Sequence, residues 1–148
     1  MELTKDQIRE EIKKRRKDNW IEAWFAIEVL AVKEDIAKDS MAKHIEKLSK
    51  VRDVFVYEKK FSEVNEVKNP MKNVEKGYAQ VAEVKLFVKN MISLMSTVML
   101  YGPSSIEILG PKDLKISLEE IQNIANSLAG VVHQFASAGV GGIVITPE

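Results

Sequence analysis

Cysteine is absent from the chain, and histidine occurs only at His44 and His133. The first absence excludes disulfides, thiol catalysis, iron–sulfur clusters and cysteine-type zinc sites, and two histidines are too few for a histidine-rich metal site. Composition therefore points to no metal and no cofactor. Neither sign of charge is in excess: 22 Lys+Arg balance 22 Asp+Glu, for a net charge of zero. That argues against a strongly basic nucleic-acid binder and against an acidic disordered tail. No unbroken apolar run approaches the length of a membrane span. The opening Met1-Glu2-Leu3-Thr4-Lys5 lacks the apolar centre of a secretory signal, so a cytoplasmic protein with no membrane partner is expected. What the chain has instead is lysine and glutamate, 18 Lys against 4 Arg and 16 Glu against 6 Asp. That bias leans towards a thermophilic source. A length of 148 residues, 30% charged and 45% hydrophobic, suits a single domain over 1–148.

Thr4-Lys5-Asp6-Gln7 has the form of a capping box, and Ile8 and Ile12 follow at helical spacing. The pattern predicts a short polar helix over about residues 5–17, closed by Asp18-Asn19. From Trp20 the period changes to two. Ile21, Ala23, Phe25, Ile27, Val29 and Ala31 form an apolar set, and Glu22, Trp24, Ala26, Glu28 and Leu30 a mixed one. This reads as a strand, with a helix through Trp20, Trp24 and Ile27 as the rival. Ile36, Met41, Ile45 and Leu48 predict a helix, and Val51–Phe61 a second strand. Residues 62–76 are polar, carry Asn69-Pro70, and form a long loop or irregular hairpin arm. Gly77–Val88 is a third strand. Ile92, Leu94, Met95, Val98 and Met99 make another helix, stopped by Tyr101-Gly102-Pro103. Ser105–Leu109 is a fourth strand. Ser117-Leu118-Glu119-Glu120 opens a last helix, and Val140–Ile145 is a candidate fifth strand.

The order β-α-β-β-α-β is that of the ferredoxin-like split unit. The expected fold is α+β: an antiparallel ferredoxin-like sheet over 20–111, an N-terminal helix over 1–19 and a C-terminal helix–strand extension over 112–148. The segments Tyr101-Gly102-Pro103-Ser104-Ser105-Ile106-Glu107-Ile108-Leu109 and Gly139-Val140-Gly141-Gly142-Ile143-Val144-Ile145 also resemble those of uncharacterised archaeal proteins. That resemblance covers about a sixth of the chain and implies neither activity nor site residues.

Three features bear on function. From Ile121 to Pro147 there is no Asp, Glu, Lys or Arg. Interface cores are depleted of charge, so the helix in this stretch is read as a homo-oligomer interface through Ile124, Leu128, Val132, His133 and Phe135. Packing on the protein's own sheet is the alternative. The face of the sheet away from the internal helices would carry Trp24, Glu22, Glu28, Glu83, Lys85, Phe87 and Glu107. Of these, Trp24, Glu22, Glu28, Glu83, Lys85 and Glu107 are candidates for small-molecule binding, and the four glutamates Glu22, Glu28, Glu83 and Glu107 for acid–base work if they converge. Cross-strand Glu–Lys pairing explains the same pattern without a site.

The basic run Lys13, Lys14, Arg15, Arg16 and Lys17 is a candidate phosphate grip. Lys76-Gly77-Tyr78-Ala79-Gln80-Val81-Ala82-Glu83 resembles the RNP1 motif of RNA-recognition domains at its first four positions and its sixth. Gln80 and Glu83 stand where that motif has aromatics, which removes a stacking ring. His44 sits on a Lys/Glu-rich helix and is read as solvent-facing. The preferred reading is a homo-oligomeric domain that binds a small-molecule effector or regulates. An enzyme using the open-face glutamates is the alternative, and RNA binding the third.

Overall fold

The computed structural model describes residues 2–139, so the expected strand at Val140–Ile145 lies outside the described residues. Its elements run α1 (Lys5–Lys17), β1 (Ile21–Ala31), α2 (Glu34–Ser49), β2 (Val54–Phe61), β3 (Asn65–Met71), β4 (Val74–Val88), α3 (Met91–Tyr101), β5 (Ser105–Gly110) and α4 (Leu118–Ser137). The chain divides into two compact units, Met1–Leu114 and Lys115–Glu148.

The first unit is built on an antiparallel sheet in the order β2-β4-β1-β5, with β3 pairing the outer half of β4. A β-α-β-β-α-β chain wound in that order has the ferredoxin-like layout expected of the sequence. Each end follows local chemistry. Thr4 and Gln7 cap α1 reciprocally, and the Asn90 side chain accepts from the Ser93 N–H at the start of α3. Gly102 ends α3 with a left-handed φ of 55° that a side chain would resist.

Period two decides the core. Ile21, Ala23, Phe25 and Ile27 of β1 lie beside Ala82, Val84, Leu86 and Val88 of β4. Met41, Ile45 and Leu48 of α2 close over them, with Met91, Leu94, Val98 and Tyr101 of α3 partly buried against the group. The competing helix through Trp20, Trp24 and Ile27 does not form, because only an extended chain puts Ile21, Phe25 and Ile27 on one face. His44 is half-buried rather than solvent-facing. Its Nε2 lies 3.0 Å from the Tyr101 carbonyl oxygen and its ring centroid 5.0 Å from that of Tyr101, a contact set by the meeting of α2 and α3.

The polar stretch between the second and third expected strands forms a strand of its own. β3 pairs with the start of β4 through Asn65–Ala79 to Lys68–Lys76, and the ladder shifts before Met71–Val74. Asn69 (φ 50°) and Asn73 (φ 67°) take the left-handed conformations of the bulge and the turn. The arm closes tightly on Gly77: a Cβ there would stand 2.7 Å from Pro70 Cγ and 3.2 Å from Leu30 Cδ1. The pyrrolidine ring has no rotamer in which to escape. Gly77→Ala is expected to destabilise the arm by about 1–3 kcal/mol. Hydrogen exchange of the amides of 65–79 would show it, with a smaller loss in a Pro70→Ala background.

Candidate functional site

Asn19, with φ 56°, reverses the chain between α1 and β1. The Trp20 N–H donates to the Arg15 carbonyl at 3.0 Å, which lays the last turn of α1 back over the first residues of β1. Two side chains lock the turn. The Arg15 guanidinium lies 4.5 Å from the Trp20 ring centroid and 5.1 Å from that of Phe55, and donates to Glu11 Oε2 at 2.8 Å. Arg15 Nε is buried without a hydrogen-bond partner, and these two ring faces supply part of the stabilisation it lacks.

Arg16 reaches across to Glu22. Its Nε donates to Oε1 at 2.9 Å and its Nη2 to Oε2 at 3.0 Å, a two-pronged pair. The Tyr57 hydroxyl adds a third hydrogen bond to Glu22 Oε2, at 2.6 Å.

Two bulges flank this carboxylate. On the β4 side of β2, Val56 faces Leu86 and Glu58 faces Lys85, so Tyr57 is the extra residue. Unbroken alternation would place both Phe55 and Tyr57 on the α1 face and turn Glu58 towards the core. The inserted residue returns Glu58 to the α1 face, where it meets Lys85 Nζ at 3.4 Å. On the other side of β1, Glu22 faces Gly110 while Ala23 faces Ile108, so Leu109 is the extra residue. The chain then turns away through Gly110-Pro111 and leaves a cavity of about 240 Å³ beside Glu22. It is lined by Arg16, Trp20, Glu22, Leu109, Gly110, Pro111 and Lys112.

The electrostatics follow from this packing. Glu22 is only 7% exposed. Arg16 first, then the Tyr57 hydroxyl, hold its carboxyl below the usual carboxylate range, overcoming a burial that favours the neutral acid. Burial, and donation to an ionised acceptor, push the Tyr57 phenol well above its ordinary value. Glu22 therefore stays charged and Tyr57 stays protonated through the neutral range. The group is a fixed dipole array and a poor proton shuttle.

The other residues expected on this face are spread out. Trp24 stands opposite Lys85 on one side and Glu107 on the other; Glu83 faces Ala26 and Glu28 faces Val81. Glu22 and Glu28 are six residues apart on one strand, about 20 Å. Among the described residues no group of three or more His, Asp or Glu is placed to hold a metal ion. Phe87, read as part of an open face, is fully buried. Tyr57 lies 5.3 Å from its ring, at the end of the face over which α1 returns.

The basic run is partly engaged: Arg15 with Glu11, Arg16 with Glu22, and Lys13 with Glu10 at 3.7 Å. Lys14 and Lys17 are exposed. Tyr78 pairs with Ala31 on the core side of β4, the side of Ala82 and Val84, and not on a face open to RNA.

The helix of the second unit, α4, begins at Ser117, whose hydroxyl accepts from the Glu120 N–H at 3.1 Å. None of its residues is buried: Leu128 is 54% and Phe135 53% exposed, with Val132 and His133 also exposed and Ile124 half-buried.

Wider depressions exist elsewhere. One, about 640 Å³, is the bare turn of the β3–β4 arm, formed by the consecutive residues Asn69–Glu75. It joins only the two strands of one hairpin. The smaller cavity at Glu22 draws on α1, β1 and the end of β5, and it combines cations, a carboxylate and an aromatic wall. Sequence reasoning missed Arg16, Tyr57, Trp20 and Lys112 as its partners. Only the reversal at Asp18-Asn19 hinted that the basic run returns to the first strand.

Among the described residues no helix is long and apolar enough to cross a membrane. No curated protein and no solved structure matches the chain. A family model does, over residues 22–138: that of the MJ0538 family, a description that assigns no activity.

Because Glu22 titrates lower folded than unfolded, its pair stabilises the protein above the ordinary carboxylate pKa, and that contribution is lost as pH falls through the lowered value. Glu22→Gln is expected to cost about 1–2 kcal/mol at pH 7, because a neutral amide with one acceptor oxygen replaces the charge that takes three hydrogen bonds from Arg16 and Tyr57. The difference from wild type should shrink steadily below about pH 4 in urea titrations. Tyr57→Phe should cost about 1–2 kcal/mol at pH 7 by the same measurement.

Proposed function

We propose that this chain, which belongs to the MJ0538 family, is a homo-oligomeric domain that binds a small-molecule effector at the Glu22 cavity. The observation that carries the reading is the cavity itself, walled by side chains from α1, β1 and the end of β5. Its one buried carboxylate is already neutralised by Arg16 and Tyr57. A site whose ionisable groups hold one protonation state suits recognition more than turnover. The separation of Glu22, Glu28, Glu83 and Glu107 favours binding over an enzyme using those four together, and the internal ion pairs of the basic run disfavour RNA as the partner.

Assembly is proposed through α4, with a second copy of the chain as its occupant. Leu118, Ile121, Ala125, Leu128, Val132 and Phe135 recur at alternating steps of three and four, the spacing of a helix-pairing seam. Ile124 widens the stripe, and His133 stands one position round the helix from Val132. Charge favours a copy over a foreign partner. An isologous contact sets the same patch on both sides, so a patch carrying charge of one sign would face itself. From Ile121 to the end of α4 there is no such charge. The flanks carry Gln122, Asn126 and Gln134, neutral groups that both donate and accept.

Native mass spectrometry tests the assembly. The expected result is a species at a multiple of 16.7 kDa, with Leu128→Glu or Phe135→Glu converting it to a folded single chain. An unchanged oligomer in both variants removes α4 as the interface. A wild-type monomer removes the assembly.

A further inference from the structure

Arg16 holds the strongest clue to what enters the cavity. A guanidinium carries five N–H donors in a rigid plane. Glu22 uses the Nε edge, taking one hydrogen bond from Nε and one from Nη2. The far edge, made of Nη1 and the second Nη2 hydrogen, is not used by Glu22, and the side chain is 61% exposed. That edge has the spacing of a second carboxylate.

The charges agree. Of the lining residues, Arg16 and Glu22 cancel, and Lys112 adds one positive charge. Among the described residues Lys112 forms no ion pair. The net surplus is one cation, which matches one anionic group. The remaining wall is apolar and partly flat: Trp20, Leu109 and Pro111. A volume of about 240 Å³ is below the range of drug-sized sites, which start at about 300 Å³. A single ring with one acidic substituent is the scale that fits.

We propose that the cavity takes a small aromatic monocarboxylate, held by the outer edge of Arg16 and by Lys112, with its ring against Trp20, Leu109 and Pro111. This rests on the reading of the cavity as the effector site and names the effector's chemical class. Glu22 and Tyr57 are positioning residues in this arrangement. They fix the guanidinium plane, so the ligand meets a donor pair already in place.

The chain has two tryptophans, Trp20 and Trp24, so the indole N–H signals in a proton–nitrogen correlation spectrum report the site directly. A Trp24→Phe variant assigns them. Benzoate, benzamide and inorganic phosphate are titrated separately into the full-length protein. Benzoate is expected to move the Trp20 signal, with benzamide at least tenfold weaker because it lacks the charge that Arg16 and Lys112 recognise. Lys112→Ala, an exposed position, should weaken benzoate several-fold without changing the rest of the spectrum.

Benzamide binding as well as benzoate would overturn the carboxylate class while leaving the cavity as a site. Phosphate binding as well as benzoate would overturn the aromatic monocarboxylate in favour of a simple anion site. No movement of Trp20 with any of the three would overturn both this inference and the cavity as effector site.

Discussion

A carboxylate removed almost wholly from water must be matched by donors, or the fold carries an uncompensated charge worth several kcal/mol. Glu22 is that carboxylate, and its donors come from two other elements, Arg16 of α1 and Tyr57 of β2. Much of the surrounding structure serves this requirement. The left-handed Asn19 brings α1 back over β1, on the face where the Tyr57 hydroxyl reaches Glu22. α1 is mostly polar and fully buries none of its residues, with Ile8 and Ile12 only half-buried. Its position therefore depends on the Glu22 pair and on Arg15 against Trp20 and Phe55 as well as on that short apolar contact.

The two bulges have a common effect. Each inserts one residue into a strand of the sheet and shifts the register beyond it. The one in β2 lies on the face that Tyr57 shares with Glu22 and keeps Glu58 out of the core. The one in β5 lifts Leu109 out of register beside Glu22 and opens the cavity against Lys112. A regular ladder would have turned Glu58 inwards and would not have left the space. Structure and candidate site thus arise from one local irregularity on each side of the same residue.

The two proposed activities rest on opposite uses of charge. At the cavity, opposite charges are concentrated, paired and held in fixed protonation states. Along α4 charge is removed, and an apolar stripe with neutral amide flanks takes its place. In a chain so rich in lysine and glutamate, that contrast is what sets the two proposed surfaces apart.

What the sequence determined by itself was periodic. The alternation of Ile21, Phe25 and Ile27 against Ala82, Val84 and Leu86, the capping residues Thr4 and Ser117, and the stop at Gly102 are local signals. They specify the order of helices and strands and the buried side of the sheet because each acts within a few residues. The polar arm was the exception, since the pairing of Asn65–Met71 comes from β4 and not from its own apolar content. Tertiary structure alone decided the site. Glu22 looked like one of four equivalent glutamates, and Arg16 like one of five equivalent cations. Which two meet depends on the reversal at Asn19 and on strand register. Register is a property of paired strands, and where a one-residue insertion falls is fixed by the partner strand as much as by the strand that carries it.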